Sequence, residues 1–353
     1  MPLIYMFRKR GLIIALSCCV LLTFIASGMF LYYYQVYLSP NVFTYEESKT
    51  YINISNEIST TDELIDMLSK KVEVKNVHTL RKVIKKSGYS TIRSGHYKIR
   101  DGMSNKELVR MLQLGLQTPV RVIFNNIRTK EELASSLSKQ LMPDSLSIIE
   151  LLNDSAYLTT FGLDIQNILA AFIPNTYDFY WNVDEKQMFE RFHKEYLKFW
   201  TKERLDKAAA IPLTPMEVSI LASIVEEETN KSFEYPIVAG LYINRLKKRM
   251  LLQADPTVKY AIGDFGIRRV LKVHLEIDSP YNTYKYRGLP PGPIRTSSIR
   301  TIDAVLNYQK HNYLYMAAKE TLNGEHNFAT TLSEHNKNAR KYREALNKLQ
   351  IYR

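Results

Sequence analysis

Three consecutive carboxylates close an apolar stretch of the chain, and they are the residues best suited to chemistry. Residues 214–229 read Thr-Pro-Met-Glu-Val-Ser-Ile-Leu-Ala-Ser-Ile-Val-Glu-Glu-Glu-Thr, with the acids at Glu226, Glu227 and Glu228. Burial disfavours the charged form of a carboxylate and therefore raises its pKa. A glutamic acid that stays protonated can donate its proton to a leaving group. The pattern predicts a general acid at the end of a helix.

Helical spacing separates the three acids. Ser219, Ser223 and Glu226 follow one another at intervals of four and three, which places them on one polar stripe. We expect Glu226 to face solvent or a cleft, and Glu227 and Glu228 to start in apolar surroundings. Spacing does not choose between these two. The alternative is a helix end that frays into solvent, but negative charge there opposes the helix macrodipole.

The helix also has a defined start. Thr214 precedes Pro215, and Glu217 lies three residues after the threonine. A hydroxyl three residues before a glutamate forms a capping box, and proline is favoured at the first helical position. We therefore expect the helix to begin directly after Thr214.

Rigid loops that carry polar side chains follow this helix. Proline restricts the backbone at Asp255-Pro256, at Ser279-Pro280 and in the run 288–293. Rigid loops with polar side chains commonly form the walls of clefts for hydroxyl-rich ligands. The hydrogen-bonding residues of these loops and of the segment before them are Asn244, Gln253, Asp255, Asn282, Thr283 and Tyr284.

The amino end predicts a membrane anchor. Arg8-Lys9-Arg10 precedes residues 11–38, which carry no charge, and Tyr32-Tyr33-Tyr34 lies near the far end. A helix of roughly 20 apolar residues crosses a bilayer, with basic residues inside and aromatic residues at the interface. We expect residues 1–10 to form a cytoplasmic tail, 11–38 a single transmembrane helix, and the rest to lie outside the cytoplasm. A cleaved signal peptide is the alternative, but its apolar core is shorter, roughly 7–15 residues.

Charge and cysteine content limit the partners. The net charge of +12 favours an anionic neighbour, such as a membrane surface or an acidic polymer, and an exported domain makes nucleic acid a poor candidate. Cys18 and Cys19 both lie in the predicted span, so we expect no disulfide outside it. We predict neither a metal nor a cofactor, because no ligand-pair spacing relates His274, His311, His326 and His335.

The segment between the span and the acids has the pattern of an α+β fold. Short strand-like runs at 72–74, 96–99 and 120–124 alternate with apolar helical stripes. Residues 172–181 are rich in aromatic side chains, which could form core or a wall on which sugars stack. Further capping boxes are predicted at Thr60 with Glu63, Ser104 with Glu107, and Thr129 with Glu132.

Several motifs in residues 214–340 occur in the same order as in a known protein family. They are Ala-Ser-Ile-Val-Glu-x-Glu-Thr at 222–229, Ile-Asn-Arg-Leu at 243–246, Leu-Gln-x-Asp-Pro-Thr-Val at 252–258, Tyr-Asn-Thr-Tyr at 281–284, Gly-Leu-Pro-Pro-Gly at 288–292, Tyr-Leu-Tyr at 313–315, His-x-Phe at 326–328 and His-Asn-Lys at 335–337. With them the chain resembles the endolytic murein transglycosylase family (MltG, YceG-like). A weaker likeness covers residues 95–129, where the family is LysM-like.

The resemblance implies an architecture and partners. It implies an α+β fold with a membrane-proximal region at 39–130 that holds a small LysM-like module, followed by a mixed α+β catalytic domain at 131–353. The expected partners are peptidoglycan glycan strands, the inner (cytoplasmic) membrane and a peptidoglycan synthase complex. Glu227 occupies a position where relatives can carry a basic residue. A third carboxylate there should raise the proton affinity of the cluster.

The family cleaves glycan strands without water and leaves a 1,6-anhydro-N-acetylmuramic acid end. By resemblance the catalytic glutamate is Glu228, which is followed by threonine. It would protonate the glycosidic oxygen and then accept the proton of the sugar's C6 hydroxyl, which replaces the second carboxylate that hydrolysis needs. The residues expected to orient the sugars are Glu226, Asn244, Gln253, Asp255, Tyr281, Asn282 and Tyr284.

Two other functions remain open at this point. One is a peptidoglycan hydrolase that uses Glu228 with Asp255 as the second carboxylate. The other is a scaffold without activity that binds peptidoglycan through the LysM-like region.

Overall fold

The chain forms two compact units, which are described separately. The computed structural model describes residues 2–45, 50–89, 91–267 and 269–349, and of residues 2–11 only the backbone. The amino-terminal unit comprises Met1–Val120 and Asp178–Asn182, and the carboxyl-terminal unit comprises Arg121–Tyr177 and Val183–Arg353. The division after Val120 precedes the boundary expected at residue 130.

The chain begins with a long apolar helix. Helix α1 spans Pro2–Tyr33 and continues into a π-helical turn at Tyr34–Leu38. The segment Leu12–Leu38, of 27 residues, contains an 18-residue window with a mean hydropathy of 2.4 and is long and apolar enough to cross a membrane. Its large apolar side chains, such as Phe24, are exposed. Both features agree with the predicted span.

The rest of the amino-terminal unit is a small α+β fold. Strand β1 pairs antiparallel with β3 and β5, and β2 pairs antiparallel with β4. Tyr97 and Ile99 of β4 point into an apolar core. The elements are β1 Pro40–Phe43, β2 Thr50–Ile54, α2 Thr61–Lys71, β3 Glu73–Val74, α3 Val77–Ser87, β4 Gly95–Ile99, β5 Met103–Ser104 and α4 Asn105–Leu114.

Two short strands lie where the chain passes between the units, β6 Val120–Ile123 and β7 Thr176–Phe179. The carboxyl-terminal unit is mainly helical, with 3-10 turns at Ile168–Ala171 and Lys272–Glu276. Its other elements are α5 Lys130–Ser138, α6 Ser145–Asn153, α7 Ser155–Thr159, α8 Glu185–Phe199, α9 Lys202–Ala210, α10 Pro215–Glu228, α11 Tyr235–Lys247, α12 Asp255–Ile262, α13 Ile299–Leu306, β8 Tyr315–Ala318, β9 His326–Ala329 and α14 Leu332–Lys348.

Local capping explains where many of these helices begin. The boxes at Thr60, Ser104 and Thr214 form as predicted, with the hydroxyl and the glutamate three residues later each bonded to the other's backbone. The box at Thr129 forms only in part. Its hydroxyl accepts from the Glu132 N–H, but the Glu132 carboxylate accepts from the backbone of Arg128 instead.

Helix α10 is the centre of the carboxyl-terminal unit. Every residue from Val218 to Val225 is buried, because α11, α12 and α13 pack around the helix. The serines of the predicted polar stripe therefore lie inside the core. Ser223 donates to the carbonyl of Ile220 and accepts from the N–H of Ile294, so its hydroxyl joins the helix to a distant loop.

The aromatic run at 172–181 contributes mostly to the core. Phe172 and Tyr177 are buried and pack against Phe124 and Phe192. Tyr180, in contrast, is 56% exposed. Phe172 and Tyr177 therefore form part of the core, which is one of the two roles that the sequence allowed for this run.

Candidate active site

Glu228 is the last residue of α10, where the helix leaves the core. Its Oε1 accepts a hydrogen bond of 2.5 Å from the phenol of Tyr242 on α11. Burial raises the pKa of Glu228 to about 7, and the negative charge of Asp255 adds to the rise, while the Tyr242 hydrogen bond and the charges of Lys259 and Arg245 oppose it. This carboxyl group can therefore hold a proton close to neutral pH and can also release it.

An open cleft of about 350 Å³ lies over Glu228. Its floor comes from α10 and α11, one wall from the loops at 252–255 and 284, and the other from β8, β9 and the start of α14. The lining residues are Glu228, Leu241, Tyr242, Arg245, Leu252, Gln253, Asp255, Tyr284, Tyr315, Met316, Ala317, Ala318, His326, Leu332 and His335.

Arg245 ties the two walls of the cleft together. Its side chain is buried, and its Nε donates to the carbonyl of Leu314, directly before β8, at 2.6 Å. Its Nη1 donates at 3.0 Å to the carbonyls of Leu251 and Leu252 on the opposite wall, and at 3.1 Å to Oε1 of Gln253. The planar fork of an arginine directs its N–H groups to both sides, with one Nη1 N–H shared between two acceptors, so one side chain bonds both walls.

The wall formed by the loops presents an acid–phenol pair. Tyr284 donates a hydrogen bond of 2.5 Å to Oδ1 of Asp255. Burial raises the pKa of the Tyr284 phenol well above its usual range, so the hydroxyl stays protonated. Beside the pair, Gln253 has a positive φ of 52° and donates its N–H to the carbonyl of Thr283. Such backbone strain places the Gln253 side chain at the cleft.

The predicted site residues divide into two groups. Gln253, Asp255 and Tyr284 line the cleft with Glu228. Asn244, Tyr281, Asn282 and Glu226 lie elsewhere in the described chain. The second group includes residues that build the frame of the cleft.

Asn244 and Asn282 bind backbone rather than open space. The Asn244 amide donates to the carbonyls of His311 at 2.7 Å and Tyr313 at 3.1 Å, which positions the segment before β8. Asn282 is fully buried and donates to two carbonyls of the loop at 275–277, while its side-chain oxygen accepts from the N–H of Tyr284. Tyr281 packs on Tyr260, with ring centroids 4.7 Å apart.

The structure corrects the expectation for Glu227. Its carboxylate is not in apolar surroundings, because Arg128 contacts both of its oxygens at 2.9 and 3.1 Å and Arg295 contacts one at 2.8 Å. The expected effect of a third carboxylate is also wrong. Two arginines compensate Glu227, and the charge that raises the pKa of Glu228 is that of Asp255.

Glu226 faces away from the Glu228 cleft. Its side chain is 13% exposed and accepts a hydrogen bond of 2.8 Å from the backbone of Ser298, at the start of α13. It lines a separate pocket with Asn230, Glu227 and Arg295. The cleft expected next to Glu226 is therefore a different one from the cleft that holds Glu228.

Sequence reasoning missed five polar or aromatic residues of the cleft. Tyr242 and Arg245 are three residues apart on α11 and hence share a face, which helical spacing alone could have indicated. Arg245, like Tyr315, His326 and His335, also lies in a motif of the resemblance. Residue type alone suggests only metal binding for the two histidines, and their spacing gives no sign of a place in the cleft.

Glu228, the phenol bonded to it and the polar cleft form the candidate active site. Comparison with known proteins identifies the family of the chain. The sequence profile of the YceG-like family matches residues 52–341. The chain therefore belongs to the YceG-like family, and the resemblance stated from its motifs is confirmed.

Two named relatives are similar to most of the chain. The chain is 30% identical over 321 residues to the endolytic murein transglycosylase of Bacillus subtilis (strain 168), covering 84% of this chain and 86% of that protein. It is 25% identical over 359 residues to the endolytic murein transglycosylase of Streptococcus pneumoniae serotype 2 (strain D39), covering 92% of this chain. The chain spans 64% of the length of that streptococcal relative.

A solved structure supports the fold. The crystal structure of a protein from Listeria monocytogenes described as YceG-like superposes with a TM-score of 0.55 at 26% identity. The match covers 83% of this chain and 99% of the Listeria chain. The arrangement of helices and short sheets is therefore shared with a solved member of the family.

Proposed function

We propose that this protein is a membrane-anchored lytic transglycosylase that cuts within peptidoglycan glycan strands and leaves 1,6-anhydro-N-acetylmuramic acid ends. The observation that carries the proposal is Glu228, whose pKa is raised to about 7 in an open cleft of about 350 Å³. Two relatives of the chain are named endolytic murein transglycosylase, which supports peptidoglycan as the substrate.

In the first step Glu228 acts as an acid. Tyr242 donates to its Oε1, which leaves Oε2 to carry the proton towards the substrate. The proton passes to the glycosidic oxygen as the bond to the anomeric carbon breaks, through an oxocarbenium-like state. A pKa near 7 keeps much of this carboxyl group protonated at neutral pH.

In the second step Glu228 acts as a base. The new carboxylate accepts the proton of the C6 hydroxyl of the same sugar, whose oxygen bonds to the anomeric carbon and closes the anhydro ring. The hydroxyl is held within the substrate, so its effective concentration exceeds that of water. The Tyr242 hydrogen bond and the positive charge of Arg245 stabilise the carboxylate between the two steps.

The cleft walls orient the sugars. Asp255 and Tyr284 form a bonded pair whose remaining oxygen lone pairs can accept hydrogen bonds from sugar hydroxyls, and Gln253 offers an amide for the N-acetyl groups. Glu228 can perform both steps alone, so Asp255 is assigned to substrate binding. Asn244, Tyr281 and Asn282 act indirectly, by holding the cleft loops in place.

The hydrolase has one observation in its favour, because Asp255 lines the same cleft as Glu228. Against it, Oδ1 of Asp255 is bonded to Tyr284 at 2.5 Å, which reduces its capacity to activate water. The two reactions give different products. Hydrolysis adds an oxygen from water to the new end, whereas the transglycosylase adds none.

The amino-terminal helix sets the location that we propose. The span Leu12–Leu38 would anchor the protein once in the cytoplasmic membrane, with the cleft on the outer side. There it would meet newly made glycan strands beside a peptidoglycan synthase complex.

The reaction can be tested with the full-length protein in detergent micelles. Uncrosslinked glycan strands are incubated in oxygen-18-labelled water, and the fragments are analysed by mass spectrometry. We expect anhydro ends without the label, and no fragments from Glu228→Gln. Reducing ends that carry the label would favour the hydrolase, and wild-type cellular function in Glu228→Gln would favour the scaffold.

A further inference from the structure

A buried carboxylate that the proposed reaction does not use lies beside the cleft. Glu234, at the start of α11, is 2% exposed. Its Oε2 accepts from the hydroxyl of Thr229 at 2.7 Å and from Nδ1 of His326 at 2.9 Å, and its Oε1 accepts from the backbone N–H of His326 at 2.7 Å. A buried carboxylate needs such donors, and here two of them come from one residue.

His326 belongs to the cleft. It is the first residue of β9, and its side chain, 17% exposed, lines the cavity that contains Glu228. A carboxylate can only accept, so the bond to Glu234 places a proton on Nδ1 of the ring. When this is the only proton on the ring, Nε2 keeps a lone pair, and it points away from Glu234. The arrangement turns His326 into an oriented hydrogen-bond acceptor.

The same carboxylate fixes the position of His326 relative to the acid. Thr229 follows Glu228 directly in the chain, and its hydroxyl is bonded to Glu234. Glu234 thus joins the residue after the acid to the strand that forms the far wall. The distance between Glu228 and His326 is held by this chain of bonds, as a supporting carboxylate holds the histidine in many sites.

Two acceptor atoms on the wall opposite His326 already have a protein donor, because Oδ1 of Asp255 accepts from Tyr284 and Oε1 of Gln253 accepts from Arg245. A glycan brings hydroxyl and N-acetyl N–H groups, which must find acceptors when they leave water. An acceptor held ready on the far wall meets this need.

We propose that His326 contacts the substrate, with Nε2 accepting a hydrogen bond from a hydroxyl or N-acetyl N–H of the glycan, and that Glu234 is its positioning residue. This inference rests on the proposed function, because it names a further residue for the same reaction. It assigns Glu234 a role in binding and orientation, and none in proton transfer to the glycosidic bond.

Two substitutions at His326 separate the role of Nδ1 from that of Nε2. In His326→Asn the amide nitrogen takes the place of Nδ1 and keeps the bond to Glu234, but nothing replaces Nε2. In His326→Gln the amide oxygen reaches towards the place of Nε2, and the bond to Glu234 is lost. We expect His326→Asn to keep a thermal midpoint close to the wild type and to lose at least about fivefold in kcat/KM, mostly through a higher KM.

His326→Gln should behave in the opposite way. We expect a lower thermal midpoint, together with a kcat/KM per folded molecule above that of His326→Asn. A purely structural histidine predicts that activity follows folding in both variants. Wild-type kcat/KM in His326→Asn would overturn the proposal.

The position of the proton on the His326 ring can be measured without an activity assay. In protein labelled with nitrogen-15 at histidine, NMR should show Nδ1 of His326 protonated and Nε2 unprotonated. In Glu234→Gln the amide can donate to Nδ1, so the proton should move to Nε2. A wild-type ring that carries its proton on Nε2 would contradict the assignment.

Failure of the proposed function gives a different result. If the wild type releases no fragments, binding of glycan oligomers is compared between Glu228→Gln and the double variant Glu228→Gln, His326→Asn. Several-fold weaker binding by the double variant supports the contact, and equal binding overturns it. If the wild type is active and His326→Asn is equally active, only the inference fails.

Discussion

The carboxyl end of α10 has two faces, and the same residue type has opposite surroundings on them. On one face Glu228 meets a phenol and a cleft, and its pKa rises to about 7. On the other face Glu227 lies between Arg128 and Arg295 as a compensated ion pair. In the reaction that we propose, one of these adjacent positions is a proton donor and the other is a structural anchor. What an acid does is decided by what its side chain faces.

The largest expected difference between the faces is in activity. Glu228→Gln keeps the shape of the side chain but has no proton to give, so release of glycan fragments should fall by roughly 10²- to 10⁴-fold. Glu227→Gln is the matched control one residue away, and we expect it to retain most of the activity per folded molecule. Fragment release followed by chromatography measures both. Equal losses in the two variants would mean that the faces are not functionally distinct.

Only substitutions around Glu228 should shift the pH dependence of the activity. Because the acid must start protonated, kcat/KM should fall about tenfold per pH unit above the pKa near 7. The Tyr242 hydrogen bond lowers the pKa of Glu228 and the charge of Asp255 raises it. Tyr242→Phe should therefore move the basic limb to higher pH, and Asp255→Asn should move it to lower pH.

Glu227→Gln provides the control for these pH profiles. Its basic limb should coincide with that of the wild type, since Glu227 already has its charge compensated. Shifts of Tyr242→Phe and Asp255→Asn in the same direction would show that another group controls the limb.

Substitutions on the two faces should change the stability of the protein in opposite directions. Glu227→Gln leaves two partly buried arginines without their carboxylate, which should cost roughly 1–3 kcal/mol of the free energy of unfolding. Glu228 has a folded pKa of about 7, above its ordinary 4.5, so wild-type stability falls as pH rises between these values and stays level above them. Glu228→Gln, always neutral, should be more stable than the wild type at about pH 8, by roughly 1–3 kcal/mol.

Thermal midpoints of the wild type, Glu227→Gln and Glu228→Gln in the same detergent measure these opposite changes in stability. At about pH 4.5 the advantage of Glu228→Gln should vanish, because the wild-type carboxyl is then protonated in the folded state. A stabilising effect of Glu227→Gln at neutral pH would remove its assignment as an anchor.

The smallest effect is expected at Glu226. Its carboxylate accepts a hydrogen bond from the backbone of Ser298 at the start of α13 and lies 3.9 Å from Arg295. Glu226→Gln keeps an acceptor for Ser298, and Arg295 keeps its closer partner Glu227, so we expect a loss of roughly 1 kcal/mol or less in the free energy of unfolding. Thermal melts and fragment release together test this, and a loss of activity as large as that of Glu228→Gln would place Glu226 in the reaction.

Local features could be predicted from the sequence. The capping boxes at Thr60, Ser104 and Thr214 depend on residues three positions apart, so their pattern is visible in the chain. The apolar length of α1 is equally local. The acid itself was selected by a motif, since helical spacing left Glu227 and Glu228 equivalent.

Contacts between distant segments could not be predicted in this way. Arg128 and Arg295 lie 99 and 68 residues from Glu227 along the chain, and only the folded structure brings them together. Asn282 shows a second limit. A polar residue in a rigid loop can serve a ligand or the loop's own carbonyls, and its sequence context is the same in both cases. The return of residues 178–182 to the amino-terminal unit has no sequence signal either.

The bonds of Arg245 have a consequence for how this cleft can change over evolutionary time. The guanidinium holds the carbonyls of Leu251, Leu252 and Leu314, and every amino acid has such a carbonyl. Because these bonds use the backbone, the partly buried side chains of Leu251 and Leu314 are free to drift without loosening the walls, unlike the buried side chain of Leu252. The arginine is not, because lysine lacks the fork that reaches both sides. Substrate preference can diversify around an opening whose width stays the same.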